Sequence, residues 1–312
     1  MRLAFTKCHG SGNDFALLDV RALDLSDAEW GRIARTLCDR SGPVGADGLL
    51  LLRQGGGEAA FAQMVVNADG SIPETCLNGL RCTARAGFEA LGIDAATVRL
   101  KTSNAEVEHE AELAPGVYTV RTTVGPASTD PAAAGLRAAA PVIEAQVPGL
   151  PSGRAFTALA MPNPHLIAFV DKVDVAELTA LGDWCEAGPE LLADRANVSF
   201  VELRSADLYV HTYERGIGLT KACGTAMGAA THVAGLTGRL PFGQWITVHN
   251  PGGRVRVRAE GPAGDDRVSI AGNATFEWDG EIEIDPATGE AGALTVTRRR
   301  DDEVAAWAAV TG

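Results

Sequence analysis

A chain of 312 residues is longer than one hydrophobic core usually supports, so two domains are expected. A net charge of −13 at pH 7 removes the basic footprint that nucleic acid or an anionic membrane surface requires, so neither is expected as a partner. No run approaches the roughly 20 apolar residues of a membrane span, and the N-terminus shows no signal-peptide core, which predicts a cytoplasmic protein whose six cysteines are free thiols.

Low aromatic content with abundant Gly, Ala and Val favours a tightly packed α/β protein. In chain order, strands are expected over 3–6 and 15–19. A capping box of Ser26 and Glu29 then starts a helix whose apolar face is Trp30, Ile33, Ala34, Leu37 and Cys38. Strands follow at 49–52 and 61–66, a helix over 76–92, and strands at 97–101 and 118–122. A weakly patterned stretch rich in Pro, Ala and Gly, 125–141, marks the domain boundary. The theme then repeats: strands at 157–160 and 166–170, and a helix begun by Asp174 and Glu177 that buries Leu178, Leu181 and Cys185. Strands at 198–201 and 208–212, a helix over 223–238 and strands at 245–249, 255–259 and 268–271 complete it. The tail beyond 282 reads as a frayed helix or a clamp on the first domain.

The helices over 76–92 and 223–238 carry small residues on nearly every face, which predicts burial among other elements. The fold class expected is therefore α/β (α+β), with two similar domains, each a curved mixed sheet or barrel around a central helix. Their expected extents are 1–125, joined by 276–312, and 126–275.

Each central helix opens on a cysteine after a short polar turn, Glu74-Thr75-Cys76-Leu77-Asn78-Gly79 and Lys221-Ala222-Cys223-Gly224-Thr225. A helix N-terminus presents unpaired N–H groups and partial positive charge, so it can hold a carboxylate and favour a thiolate. A cysteine so placed can have its pKa lowered from about 8.5, which makes it a usable base. Cys38, Cys82 and Cys185 read as core packing, and Cys8 has no assigned role. No Cys-x-x-Cys pair or zinc-like His spacing occurs, so no metal site is expected.

Several short segments together carry a resemblance: Gly10-Ser11-Gly12-Asn13-Asp14-Phe15, Gly45-Ala46-Asp47-Gly48, Asn67-Ala68-Asp69-Gly70-Ser71, Cys76 to Cys82, Asn163-Pro164-His165, Asn197-Val198, Glu214-Arg215-Gly216 and Ala222-Cys223-Gly224-Thr225. In order and spacing they resemble the signature of the diaminopimelate epimerase family, from about residue 4 to about residue 282. The resemblance implies a cofactor-free enzyme, commonly a homodimer, with its active site in an interdomain cleft. Such an enzyme interconverts L,L- and meso-diaminopimelate for lysine and cell-wall synthesis. It implies that Asn67, Asn163, Asn197 and Arg215 contact the distal end of the substrate, that Asn13 positions it, and that Glu214 takes the reacting ammonium. His165, after Asn163-Pro164, is expected either to tune a thiol or hydrogen-bond near the reacting centre, or to be a satisfied core histidine. Four positions depart from the family pattern: Leu77, Ala226 and Pro162 stand where it has Gly, and Asn273 where it has Pro.

The chemistry agrees with these residues. Inverting an α-carbon needs a proton removed on one face and returned on the other, and two thiols meet that need symmetrically. The four lysines, Lys7, Lys101, Lys172 and Lys221, sit in no evident Schiff-base setting, so backbone N–H groups of Leu77, Asn78, Gly224 and Thr225 are the candidate stabilisers of carboxylate charge. Two alternatives remain at this point. One is a racemase of another amino acid, reshaped by Leu77 and Ala226. The other is a cysteine hydrolase or non-catalytic binder using Cys76 with His165, for which Cys223 would be dispensable.

Overall fold

The computed structural model describes residues 1–73 and 76–311, with Ala263 described by its backbone alone. Glu74 and Thr75 of the first cysteine turn lie outside the described residues. The chain divides into two compact units, Met1–Thr122 with Ala271–Gly312, and Thr123–Ile270.

In the first unit, β1 (Arg2–Gly10) and β2 (Asn13–Asp19) pair antiparallel. Helix α1 (Asp27–Cys38) crosses to β3 (Gly48–Gly56), parallel to β2, and β3 turns back antiparallel into β4 (Ala59–Asn67). Helix α2 (Leu77–Leu91) crosses to β5 (Ala95–Arg99), parallel to β4, followed by antiparallel β6 (Asn104–Glu110) and then β7 (Thr119–Val124).

The second unit runs through the same succession. Strands β8 (Thr157–Ala160) and β9 (Pro164–Phe169) are antiparallel, and α3 (Val175–Glu186) crosses to β10 (Asn197–Arg204), parallel to β9. Antiparallel β11 (Asp207–Glu214) follows, with β12 (Gly218–Thr220) folded back on its end. Helix α4 (Gly224–Leu236) crosses to β13 (Ile246–Asn250), parallel to β11, and β14 (Gly253–Ala259) pairs antiparallel with β13. Each parallel pair needs a crossover, and each crossover is a helix, so the order of elements dictates the mixed sheet. Strand β15 (Val268–Asn273) returns the chain to the first unit, where β16 (Thr275–Ile284) pairs with β1 and with β17 (Ala291–Arg299) before α5 (Asp301–Thr311).

The local signals act as expected. Ser26 and Glu29 form the complete capping box, and α1 buries Trp30, Ile33, Ala34, Leu37 and Cys38. These side chains share a core with Leu49 and Leu51 of β3, whereas Leu50 points to the opposite face and meets α2 at Gly79. The run 49–52 is thus covered on both faces, which is why it reads as continuous Leu rather than alternating. A Cβ at Gly79 would lie 2.5 Å from Leu50 Cδ2, so only glycine admits α2 this close to the sheet. Every residue from Leu77 to Arg85 in α2, and from Gly224 to Ala234 in α4, is buried.

Four strands have no counterpart in the sequence reading: β6, β12, β16 and β17. In β6 only Ala105 and Val107 are buried, between charged neighbours, so the alternation is nearly hidden. The tail is a strand and a clamped helix. Trp307 is buried with its ring 5.7 Å from that of His9, and the Glu303 carboxylate grips the Arg85 guanidinium at 2.5 and 2.9 Å while accepting from the Phe276 N–H.

Candidate active site

Cys76 is the N-cap of α2 and Cys223 the N-cap of α4, both with extended backbone (φ −142°, ψ 106° and φ −115°, ψ 111°). Each unit offers the same three topological places: the start of the first parallel strand, the start of the second, and the end of the antiparallel strand before the cysteine turn. Those places hold Asn13, Asp47 and Asn67 in the first unit, and Asn163 with His165, Asn197 and Glu214 in the second. Strand ends and helix starts thus deliver each unit's candidate residues to one edge of its sheet.

In the first unit, the half-buried Cys76, as a thiol, donates to Asn13 Oδ1 at 3.5 Å, and Asn13 Nδ2 donates to Asp47 Oδ2 at 2.7 Å. Arg40 bridges Asp47 and Asp14 at 2.6 Å each, and Lys7 Nζ reaches Asp14 at 2.5 Å as well as the Gly45 carbonyl. Asp14 is the centre of an ion-pair network; despite its burial, Arg40 and Lys7 hold its carboxyl well below the usual range. Asp69 does brace its turn, accepting from the Ser71 N–H, and Asn67 donates to Ser71 Oγ at 2.9 Å. Asp47 and Arg81 are participants that the residue patterns did not single out. An Arg in the buried first half of a helix rich in small residues was the available signal for Arg81.

In the second unit, burial pushes the Glu214 carboxyl up, with the Thr220 hydroxyl and the Cys223 thiol acting the other way. Burial, and then the Glu214 charge, hold the Cys223 thiol well above its ordinary value, against the Thr225 hydroxyl at 3.5 Å and the Ala226 N–H. At Cys223, burial and Glu214 thus act against the lowering expected at a helix N-terminus. Cys223 is thus held as the protonated thiol. Burial, the largest cause for each, pushes Cys38 and Cys185 up to about 12, as suits core thiols.

Asn197 is buried between two contacts, donating to the Pro164 carbonyl at 3.1 Å and accepting from the Arg215 N–H at 2.9 Å. Arg215 is held along one side by the Asp194 carboxylate at 2.5 Å and its carbonyl at 3.0 Å. His165 is fully buried, its Nε2 3.0 Å from Asn163 Oδ1 and its Nδ1 without a partner. Burial, with Arg215 nearby, lowers His165 to about 3, so the ring is neutral throughout the physiological range. Its depressed folded value means the unfolded chain takes up the proton first, so stability falls as pH drops from about 6.5 toward 3. We expect the His165 ring resonances to show no titration between about pH 8 and pH 4.5 by NMR; a midpoint near the free-histidine value would overturn this.

A cavity of about 500 Å³ in the first unit, lined by Gln63, Arg53, Arg99 and Lys101 among others, includes none of these site residues.

The sequence model described as Diaminopimelate epimerase matches residues 5–129 and 157–276. The chain belongs to the diaminopimelate epimerase family. Relatives named diaminopimelate epimerase include one from Listeria innocua, 37% identical over 294 residues, covering 91% of this chain and 89% of the relative. Another, from Clostridium acetobutylicum, is 36% identical over 285 residues, covering 89% and 85%. Among solved structures, a hydroxyproline epimerase from Agrobacterium vitis matches at TM-score 0.63 and 15% identity, covering 91% of this chain and 92% of its own. A PhzF-family phenazine biosynthesis protein from Bacillus anthracis matches at TM-score 0.66 and 16% identity, covering 91% and 100%. The fold is thus the repeated-domain racemase and epimerase fold, and the chain is an isomerase of the diaminopimelate epimerase family. Of the four departures from the family pattern, Leu77 and Ala226 are buried and Pro162 is exposed. Asn273 is fully buried, donating to the His9 carbonyl and Thr275 and accepting from the Ser11 N–H.

Proposed function

We propose that this protein is a diaminopimelate epimerase that inverts one α-carbon of L,L-diaminopimelate to give the meso isomer, using Cys76 and Cys223 as the two acid/base groups. The observation that carries this reading is that each unit of a duplicated fold places a cysteine at the N-cap of its buried central helix. Cys76 as thiolate takes the α-proton and becomes a thiol. Cys223 gives its proton to the opposite face and becomes the thiolate, so the pair has exchanged roles and the return reaction starts from the other side. Each helix N-terminus supplies oriented N–H groups, from Leu77 and Asn78 in one and Gly224 and Thr225 in the other, to the carboxylate on which charge builds. Glu214 receives the ammonium of the reacting centre. Asn67, Asn163, Asn197 and Arg215 hold the distal amino-acid group, with Arg215 presenting its fork to the distal carboxylate. Asn13 orients Cys76, and His165, being neutral, positions Asn163 instead of transferring a proton. Free thiols suit a reducing cytoplasm.

Incubation of L,L-diaminopimelate with the purified protein in deuterium oxide tests this directly. One deuterium at one α-carbon, appearing together with the meso isomer, is the expected result. Inversion of a different amino acid, with none of diaminopimelate, would move the assignment to another racemase.

A further inference from the structure

Arg81 is fully buried, and every acceptor it contacts is neutral. Its Nε donates to the Asn273 carbonyl at 3.0 Å, and one terminal nitrogen donates to Ser11 Oγ at 3.0 Å and Asn78 Oδ1 at 3.1 Å. The other terminal nitrogen has no acceptor among the described residues. A guanidinium buried without a counter-ion is expensive, and this one lies near the positive end of a helix, where the macrodipole adds to the cost.

The surrounding charges are already matched. On β1 and its neighbours, Lys7 and Arg40 share Asp14, and Arg40 also takes Asp47. Further along α2, Arg85 is held by Glu303 and Glu89. On the side of β15 and β1, Asn273 turns its amide nitrogen toward the His9 ring Nδ1, so that nitrogen accepts and adds no positive charge there. Among the described residues, no carboxylate pairs with Arg81.

The side chain runs back along the helix, as its bond to Asn78 three residues earlier requires. Cys76 lies five residues before Arg81, about 7.5 Å along the axis. Burial lowers the guanidinium to about 10, and the groups that act in the opposite sense are the thiols of Cys82 and Cys76. Cys82 is fully buried inside the unit, whereas Cys76 is half-buried and open to a reagent or substrate.

We infer that Arg81 is a positioning residue whose buried, carboxylate-free charge is reserved for the Cys76 thiolate, so that the thiolate forms against a preset positive field. Its contacts serve the same end. Donating to Asn78 Oδ1 ties that first-turn side chain to the guanidinium. Gly10 makes room for the arrangement: a Cβ there would stand 2.5 Å from the Asn78 carbonyl oxygen and 3.0 Å from the guanidinium. The consequence for turnover rests on the two-thiol reading above, but the charge on Cys76 is measurable without substrate.

The test is the pH profile of iodoacetamide alkylation at Cys76, read by mass spectrometry of the Cys76 peptide in the full-length protein. In R81M the alkylation midpoint is expected to rise by about one pH unit or more, while R81K, which keeps the charge, stays within about 0.3 unit of the parent. R81Q retains hydrogen-bonding capacity without charge and gives the same upward shift if R81M does not hold the fold. The Cys223 peptide should keep its profile in all three variants. An unchanged Cys76 midpoint in a folded R81M or R81Q overturns the inference, and so does a shift in R81K as large as in the neutral variants, which would mark a merely structural role. Because the alkylation assay contains no diaminopimelate, failure here leaves the deuterium result intact, and failure of the deuterium assay leaves this one intact.

Discussion

Cys76→Ala and Cys223→Ala are each expected to lower diaminopimelate inversion by about 10³-fold or more, in both directions, because each removes one of two acid/base groups that no neighbour can replace. The loss should be in kcat with the fold retained. Cys76 is half-buried, and replacing the buried Cys223 thiol by a methyl group costs on the order of 1 kcal/mol, small for a core change. Deuterium exchange at the α-carbon without inversion, seen with only one epimer, is the expected signature of a variant that retains a single base. The protonation of the pair gives the experiment its asymmetry: Cys223 is held protonated by burial and by Glu214, so its loss removes the resting acid. Should Cys223→Ala turn over at the parent rate, the two-thiol mechanism is wrong and a hydrolase-like use of Cys76 becomes the better account.

The largest effect on stability is expected midway along α2, at Arg85. Glu303→Ala leaves the buried Arg85 guanidinium without its bidentate carboxylate and with only the more exposed Glu89, and removing one partner of such a pair costs about 3 kcal/mol or more. The guanidinium packs over the Tyr118 and Phe276 rings, with its centre 4.4 and 4.0 Å from theirs, so it has no easy route to water. Urea denaturation at neutral pH, monitored by tryptophan fluorescence, should show a lower midpoint with an unchanged slope. Glu303→Gln should recover only part of the loss, since it keeps the shape and one hydrogen bond but not the charge. A midpoint equal to the parent in Glu303→Ala would mean that α5 is not anchored through this pair.

The same clamp accounts for the tail's limited legibility. The residues after Ile284 form an exposed edge strand, and a helix that buries only Trp307, so neither shows a strong apolar period. What fixes α5 is the agreement of Glu303 with Arg85 and of Trp307 with His9, partners more than 200 positions away in sequence.

Much of the remaining architecture could be read from residues because its signals are local. The capping box at Ser26 and the apolar face from Trp30 to Cys38 require only neighbours within two turns of helix. The small-residue runs after Cys76 and Cys223 announced helices sheathed by sheet, since no other environment buries every face. The motif order identified the family, because each segment marks a strand end or helix start that the duplicated topology uses twice.

What the chain alone determined, then, was the alternation of elements, the two cysteine-led helices and the family. Electrostatics was decided only in three dimensions. Whether a thiol at a helix start is acidic depends on how much water the folded chain removes from it, and at Cys223 that removal pushes the thiol up. Whether Asp14 braces a turn or gathers Lys7 and Arg40, and whether Arg81 has a carboxylate, depends likewise on residues brought near by strand pairing. Charge interactions fall off with distance through space and with solvent access, and linear spacing encodes neither.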